Sequence, residues 1–240
     1  KPNRQEALEY YRRVAQQWNL RLQLYEAVQD ISSDEDLFKM TTSKGNYQAR
    51  HIVIATGFYD LPNMLNIPGE DLPKVMHYYK EAHPFYRQQL LIIGAGNSAV
   101  DAALECYRKG AHVTMVMIEH ELPEKIKYWV RPDIENRIKE GQIKAYFQSS
   151  VTAIREREVD IQTPQGLLTL ENDFVLAMTG YKPDFRFLEK LGIGFQNDEL
   201  RTPTYDEHTM ETNIPNIFLA GVVCGGLKTN KWFIENSREH

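Results

Sequence analysis

Hydrophobic residues of this chain fall into short unbroken runs, and several of these runs end at a glycine. The run at residues 90–93 is followed by Gly94, Ala95 and Gly96, and then by apolar residues at helical spacing over 99–104. An unbroken apolar run is typical of a parallel strand that is buried on both faces, and the later spacing is typical of a helix packed on one side. The pattern predicts a strand, a tight turn and a helix that begins at Asn97.

A second strand is predicted directly after this helix. Gly110 stands where a helix C-cap glycine is expected, and residues 111–118 form another largely apolar run. Strand, helix and strand in this order make a βαβ unit. The glycine turn therefore has the structural context that a nucleotide-binding motif requires.

The turn itself carries the pattern Gly-x-Gly-x-x-Ala. Gly94 permits the tight bend, Gly96 lets the backbone approach a pyrophosphate, and Ala99 keeps the side chain small where helix meets strand. The first helical residues, Asn97 and Ser98, present unsatisfied N–H groups and the positive end of the helix dipole to the phosphates. We predict a dinucleotide-phosphate site here, and the alternative is a turn that binds no ligand.

The residues before this motif predict a helix, a strand and a hairpin. Helical spacing runs through 3–19, with Asn3 as the predicted cap. Leucines alternate with polar residues at 20–24, which predicts a half-buried strand that continues past Val28 to a polar turn at 32–36.

Next come a hairpin, an apolar strand and an irregular connection. Segments 37–42 and 47–50 flank the turn residues 43–46, and an apolar strand follows at 51–55. Four prolines then mark an irregular connection, and we place the first domain boundary at residue 82.

The same order of elements returns after the central motif. A helix is predicted from Pro132 to Gly141, a strand-like segment at 143–154 and a second hairpin at 159–170. Near the end of the sequence another apolar strand is predicted at 217–221, and residues 232–234 begin a pattern that predicts a helix.

Two pairs of positions share one offset. Val28 and Val151 are 123 residues apart, and so are Thr56 and Thr179, each of which precedes a glycine at a strand end. This predicts two copies of one helix, strand, hairpin and strand plan, although that order is common enough to arise by chance. Subtracting 123 from Gly94 places the partner glycine turn before residue 1, so we expect residues to be missing at the start. Because His240 cuts off the helix predicted from residue 232, we expect the chain to be a fragment, incomplete at both ends.

Composition narrows the classes of function. The chain has 240 residues, a net charge of −5 and no basic block, which argues against nucleic acid as its ligand. No apolar run approaches the length of a membrane span. Cys106 and Cys224 are its two cysteines and form no C-x-x-C motif, so a cytoplasmic protein without a disulfide framework or a metal site is expected.

With these pieces assembled, the chain resembles the flavoprotein disulfide reductases that bind two dinucleotides. Its most specific segments match the thioredoxin-reductase-like branch of the pyridine nucleotide-disulfide oxidoreductases, in particular bacillithiol disulfide reductases; they lie at 54–60, 67–73, 94–101, 127–134, 179–184 and 219–223. The resemblance implies an α/β protein with two Rossmann-like domains. It assigns 1–82 and 186–240 to a partial FAD domain and 83–185 to an inserted nicotinamide-nucleotide domain.

The resemblance also implies cofactor contacts. For FAD they are Val28, Ala55, Thr56, Gly57, Gly221 and Val222; for NADPH they are Gly94, Gly96, Asn97, Ser98, Ala99, Lys125, Lys127, Thr179 and Gly180. Relatives hold a ribityl hydroxyl with an Asp where this chain has Val222, so only backbone contact is expected there. Each Thr-Gly pair, taken alone, is as well explained by an ordinary strand end.

Few residues of the sequence indicate whether the nicotinamide cofactor is NADH or NADPH. An NAD-selective site has an acid at the end of the second strand, but Met117 and Ile118 are apolar. Glu119 and Glu121 come slightly late for that role. The basic residues of NADPH-selective relatives are also missing at this position, although Lys125, Lys127 and Arg131 follow closely. With Ala99 and the resemblance added, the sequence favours NADPH. The alternative is that these cations lie on a solvated loop.

The implied reaction is hydride transfer from NADPH to flavin and reduction of a small-molecule or small-protein disulfide, in an enzyme that is a homo-oligomer in its full-length form. The fragment is expected to be inactive and not to retain FAD. Cys224, in a glycine-rich segment where access is plausible, is a candidate redox-active thiol against the alternative of a quiet buried cysteine. A nucleotide-binding redox sensor or electron-transfer module without disulfide turnover is the competing function.

Overall fold

The computed structural model describes residues 4–34, 37–238 and 240, with only the backbone of Asp34. The predicted cap Asn3 and the tip of the predicted turn at 32–36 lie outside these residues. The helices and strands are, in chain order, α1 (Arg4–Gln17), β1 (Val28–Asp34), β2 (Leu37–Thr42), β3 (Asn46–Ala49), β4 (Ile52–Ile54), β5 (Leu61–Pro62), β6 (Val75–Met76), β7 (Gln89–Ile93), α2 (Asn97–Arg108), β8 (His112–Val116), α3 (Arg131–Lys139), β9 (Lys144–Tyr146), β10 (Ser150–Ile154), β11 (Glu158–Thr163), β12 (Gly166–Glu171), β13 (Phe174–Ala177), β14 (Tyr181–Lys182), α4 (Phe185–Lys190) and β15 (Ile217–Leu219).

The chain divides into two compact units. Unit 1 comprises Lys1–Gly57 and Asp184–His240, and unit 2 comprises Phe58–Pro183. The predicted boundary at residue 82 therefore lies inside unit 2. The physical reason is β6, which precedes that boundary and pairs in parallel with β13 at the edge of the unit 2 sheet.

Unit 2 is built on a parallel sheet of five strands in the order β6-β13-β7-β8-β9. The central strand β7 is buried along residues 90–93, as its unbroken apolar run predicts. Helix α2 covers one face with Ala99, Val100 and Ala103, each fully buried. The strand, helix and strand predicted around the glycine turn are confirmed, and so is the α/β class with a parallel sheet.

Each unit also contains a three-stranded antiparallel sheet, β1-β2-β3 in unit 1 and β10-β11-β12 in unit 2. Both have a bulge at the same place. The register shifts between Val28 and Asp30 in β1, and between Val151 and Ala153 in β10, and these positions are 123 residues apart. A parallel strand follows in each unit, β4 paired with β15 and β13 paired with β7. The two-copy prediction is confirmed at the level of backbone geometry.

The offset is not constant through the hairpins, however. Strand β1 continues until Asp34 faces Leu37, whereas β10 ends with Ile154 opposite Val159. The first hairpin is therefore longer, and the sequence alignment without a slip is wrong between its two anchors.

Two predicted elements are absent from the described residues. Leu20, Leu22 and Leu24 form no strand and are 52%, 57% and 65% exposed, because no described strand pairs with them to bury the alternating face. Residues 232–234 begin no helix: Asn236 accepts the N–H of Phe233 at 2.6 Å and its amide donates to the carbonyl of Lys231 at 2.9 Å. This local side-chain bonding closes a turn and competes with helix formation.

In the part of the chain that the structure describes, no helix is long and apolar enough to cross a lipid bilayer.

Candidate nucleotide-binding site

The glycine turn of unit 2 has the backbone conformation that its sequence predicts. Gly94 follows β7 with φ +120°, a region that L side chains rarely adopt. A Cβ at Gly94 would lie 2.6 Å from the carbonyl oxygen of Met178. The Gly94 N–H donates to the carbonyl of Val116 at 2.9 Å, which ties the turn to the end of β8. Only glycine fits this position.

The start of α2 is open to a ligand. Gly96 is the N-cap, and no side chain among the described residues caps the helix. A Cβ at Gly96 would meet nothing within 4 Å. The first N–H groups of a helix have no intrahelical acceptor, so those of Asn97 and Ser98 are free to bind phosphate oxygens in this space. The turn fits a dinucleotide pyrophosphate on its geometry alone.

The side chain of Asn97 has a second role that the sequence did not reveal. Its Oδ1 accepts the backbone N–H of Lys127 at 2.9 Å, and its Nδ2 donates to the carbonyl of Lys125 at 3.2 Å. These two bonds fix the loop that follows β8 against the first turn of α2. Residue spacing does not indicate these two hydrogen bonds, because the partners of the Asn97 side chain are backbone groups distant in sequence.

Two of the three cations near the turn are engaged with protein groups. The Nζ of Lys127 lies 2.6 Å from Oδ2 of Asp101 on α2. The Arg131 guanidinium lies 2.6 Å from Glu135 and donates to two backbone carbonyls at 3.1 Å. Lys125 is exposed. Two of the three basic side chains near the turn are therefore already paired with protein groups.

Thr179 and Gly180 form hydrogen bonds with Asn63 in the same unit. The Thr179 hydroxyl donates to the carbonyl of Asn63 at 2.6 Å, the Asn63 side chain donates to the carbonyl of Thr179 at 3.2 Å, and the Asn63 N–H donates to the carbonyl of Gly180 at 3.0 Å. These bonds lie directly beside the antiparallel pairing of β14 with β5. They account for the pair structurally, and a contact with the nicotinamide nucleotide stays a prediction.

The positions predicted to contact FAD lie in unit 1. Gly57 has φ +78° with open space around its Cα, and Thr56 beside it is exposed at the carboxyl end of β4. This end belongs to an apolar groove lined by Val28, Ile31, Met40, Phe187 and residues 51–56, which include Ala55. Exposed backbone at the end of a parallel strand, with no Cβ to block it, fits a flavin nucleotide.

The second predicted flavin contact offers backbone only. Gly221 has φ +77° and open space, and its N–H donates to Nδ1 of His240 at 2.9 Å. Val222 follows and carries no hydrogen-bonding side chain. With the Gly221 N–H bonded to His240, the remaining main-chain groups fit a flavin at this point, and the residues present do not fit a carboxylate contact.

Both cysteines are free thiols and fully buried. Burial raises the pKa of Cys224 to about 11, and also that of Cys106 to about 11. The expected access to Cys224 is wrong, because the segment after β15 folds as a 3-10 turn at Gly221–Gly225 that packs its thiol into the core of unit 1. A buried, protonated thiol is a poor nucleophile, which argues against a catalytic role for Cys224.

No group of three or more metal-binding side chains occurs among the residues that the structure describes.

The parallel sheet, the glycine turn and the open end of α2 define the class of protein, an α/β protein of the Rossmann type that binds dinucleotides. The family model "Pyridine nucleotide-disulphide oxidoreductase" matches residues 1–221, and the chain belongs to this family. Members of this type use FAD and NAD(P)H, so the protein is an NAD(P)H-dependent flavoprotein oxidoreductase that reduces disulfides.

Individual relatives agree with this assignment over the whole chain. The bacilliredoxin reductase Bdr of Bacillus subtilis is 44% identical over 242 residues, which cover 100% of this chain and 74% of the relative. The solved bacillithiol disulfide reductase Bdr of Bacillus cereus is 43% identical with a TM-score of 0.94, and that of Staphylococcus aureus is 41% identical with a TM-score of 0.95. Each match covers 100% of this chain and 75% of the solved chain.

Proposed function

We propose that this protein reduces the disulfide of a low-molecular-weight thiol, and that this disulfide is bacillithiol disulfide. A small disulfide-bearing protein of the bacilliredoxin type is the second acceptor that we propose. The observation that carries the proposal is the 44% identity to a bacilliredoxin reductase along the full chain. The solved relatives above carry bacillithiol disulfide in their names.

In this proposal, unit 2 holds the nicotinamide nucleotide. Gly94 and Gly96 admit its pyrophosphate, and the N–H groups of Asn97 and Ser98 bind the phosphate oxygens. Ala99, which is fully buried, keeps α2 close to the sheet so that these groups stay in position. The bonds of Asn97 to the loop keep the helix start rigid, which lowers the entropy lost on binding.

Unit 1 holds the flavin nucleotide. Gly57 and Gly221 let the main chain run against it, and the apolar groove from Val28 to Thr56 excludes water from it. When bound, the nicotinamide supplies a hydride, and the flavin passes the electron pair to the disulfide. On this assignment the domain boundaries move from residues 82 and 185 to the limits of the units at 57 and 183.

We further propose that the protein acts in the cytoplasm and as a homo-oligomer. Its two free cysteines suit a reducing compartment, where thiols remain unpaired.

The experiment is an anaerobic titration of the full-length protein, purified with its FAD. We expect NAD(P)H to bleach the visible flavin band, and oxidised bacillithiol to restore it. Oxidised glutathione is the matched control disulfide and should restore the band far more slowly. Failure of every disulfide to restore a band that NAD(P)H has bleached would contradict the proposal.

The burial of both cysteines favours one alternative, an electron-transfer module or nucleotide-binding redox sensor that turns over no disulfide. Neither Cys106 nor Cys224 is placed to exchange with a substrate disulfide. In that case NAD(P)H bleaches the flavin, and a one-electron acceptor such as ferricyanide restores the band when disulfides do not.

A further inference from the structure

Two large aromatic side chains lie at the surface of unit 2, in the loop between β8 and α3. Tyr128 is 82% exposed and Trp129 is 55% exposed. Their rings pack edge to face with centroids 4.9 Å apart, so that they form one patch, which we call the aromatic pair. Large exposed apolar groups that adjoin each other mark interaction sites, and tyrosine and tryptophan supply much of the binding energy of protein interfaces.

The backbone is held in place on both sides of the aromatic pair. Before it, the Lys127 N–H donates to Oδ1 of Asn97 at 2.9 Å. After it, the Arg131 guanidinium donates to the carbonyls of Leu122 and Pro123, each at 3.1 Å. Because these bonds already fix the loop, little backbone entropy is lost when a partner covers the aromatic pair.

The loop that carries the aromatic pair is acidic. Three carboxylates precede the pair, those of Glu119, Glu121 and Glu124. The Lys127 ammonium group lies 2.6 Å from Asp101, and the Arg131 guanidinium lies 2.6 Å from Glu135, so neither cation compensates the loop carboxylates. Lys125 is the one remaining lysine or arginine between residues 117 and 131. The surface beside the aromatic pair is therefore negatively charged.

This charge narrows the choice of partner. At a twofold interface a second copy of the chain would bring the same carboxylates together, which is unfavourable. An anionic membrane surface would be repelled for the same reason. A protein whose contact face has an apolar centre and a rim of lysine and arginine residues complements both the aromatic rings and the carboxylates.

We propose that the aromatic pair is the docking site for the protein acceptor, a small disulfide-bearing protein of the bacilliredoxin type, which presents a basic rim to Glu121 and Glu124. The inference rests on the proposed function, in which such a protein is the second acceptor. Oxidised bacillithiol is a small molecule and needs no protein interface, so its reduction does not depend on the aromatic pair.

The test is steady-state kinetics of the full-length protein with its FAD, with an oxidised bacilliredoxin and oxidised bacillithiol as alternative acceptors. We expect the double variant Tyr128→Ser, Trp129→Ser to raise the KM for the bacilliredoxin at least about tenfold. The kinetic constants for oxidised bacillithiol and the KM for NAD(P)H should change by less than about twofold. Leu167→Ser is the matched control, since it removes a 66% exposed apolar side chain from β12 of the same unit and should change none of these constants.

A second variant tests the charge of the site. Glu121→Gln with Glu124→Gln should raise the KM for the bacilliredoxin about threefold or more and flatten its dependence on salt, because charges at the rim of an interface act mainly on the rate of association. The KM for oxidised bacillithiol should stay the same. Both side chains are exposed, so the native circular dichroism spectrum should be retained.

Each other outcome has a definite meaning. An unchanged KM for the bacilliredoxin in the serine variant overturns the docking site, and an unchanged KM and salt dependence in the glutamine variant overturn the basic rim; both leave the proposed function intact. A raised KM for NAD(P)H in the serine variant assigns the aromatic pair to the nucleotide site and overturns the inference. If the wild type reduces oxidised bacillithiol but not the bacilliredoxin, the inference fails together with the second acceptor alone. Reduction of neither overturns the proposed function as well.

Discussion

The side-chain amide of Asn97 forms a hydrogen bond with the backbone of Lys127 and so clamps the first turn of α2 to the loop after β8. The Oδ1 accepts the Lys127 N–H at 2.9 Å while the Nδ2 donates to Lys125 at 3.2 Å. Both halves of the amide are thus used at the start of the helix that faces the proposed pyrophosphate. The residue links the stability of the loop to the geometry of the nucleotide site.

Replacing Asn97 by Ala should therefore weaken both stability and nucleotide binding. We expect the free energy of unfolding to fall by about 1–3 kcal/mol, because two backbone groups lose their partner in a half-buried place. Urea denaturation measures this change. Ser98→Ala is the matched control, since the Ser98 side chain has no hydrogen bond within the part of the chain that the structure describes; a loss as large as that of Asn97→Ala would contradict the clamp.

Gly96→Ala should weaken nucleotide binding and leave the stability of the fold almost unchanged. The backbone of Gly96, at φ −73° and ψ 173°, is accessible to alanine, and the added Cβ meets no atom within 4 Å. The free energy of unfolding should change by less than about 0.5 kcal/mol. Nucleotide affinity should fall at least about tenfold because the methyl group occupies the space of the pyrophosphate. Gly45→Ala, in the β2–β3 turn, serves as the control and should leave the affinity unaltered.

Gly69→Ala should be severely destabilising. Gly69 has φ +81°, and a Cβ there would lie 1.9 Å from the carbonyl oxygen of Ile154 on β10. The clash is with backbone, so it cannot be relieved by a rotamer change, and we expect a loss of about 2–4 kcal/mol. Gly141→Ala has φ +69° with nothing within 4 Å, and should lose only about 1–2 kcal/mol. Similar melting temperatures for the two variants would refute the steric argument.

Both thiols should resist thiol–disulfide exchange with an added reagent in the native protein. With a pKa of about 11 for Cys106 and Cys224, about one thiol in a thousand is ionised at pH 8, and neither is exposed to solvent. Titration with a chromogenic disulfide reagent should show no rapidly reacting thiol until urea is added, and two thereafter. A single fast thiol in the native state, abolished by Cys224→Ser, would restore Cys224 as a redox candidate.

The same pKa shifts predict a loss of stability at alkaline pH. Because burial raises the folded-state pKa of Cys106 and Cys224 from about 9 to about 11, the folded state favours the neutral thiols. Their contribution is complete below about pH 9 and declines as the pH rises towards 11. Urea midpoints measured across this range should fall, and the fall should be shallower in the Cys106→Ala, Cys224→Ala double variant. An equally steep fall in the double variant would assign the effect to other groups.

The sequence predicts the βαβ unit well because its signals are local. Gly94 and Gly110 occupy backbone conformations with positive φ that favour glycine, and the apolar run between residues 90 and 93 is as buried as its composition suggests. Leu20 to Leu24 show the opposite case, since alternation predicts a strand only where a partner exists to cover its apolar face.

The chemistry of the site was harder to predict because it depends on pairing. The sequence indicates Lys127 as a phosphate ligand, but in the structure its ammonium group is paired with Asp101 on the preceding helix. Cys224 sits among glycines that suggested access, and the turn they form buries it completely. Neither outcome can be derived from residue spacing, since both depend on which side chains the fold brings within bonding distance.

The bulges in β1 and β10 make one further point about the two copies. Each bulge inserts one residue, Gln29 in the first copy and Thr152 in the second, which differ in size and chemistry. The register shifts at the same step in both strands, while the residues at that step differ. The position of the bulge therefore identifies the repeat better than the side chains do. A search for related copies in other chains should align strand bulges before it compares side chains.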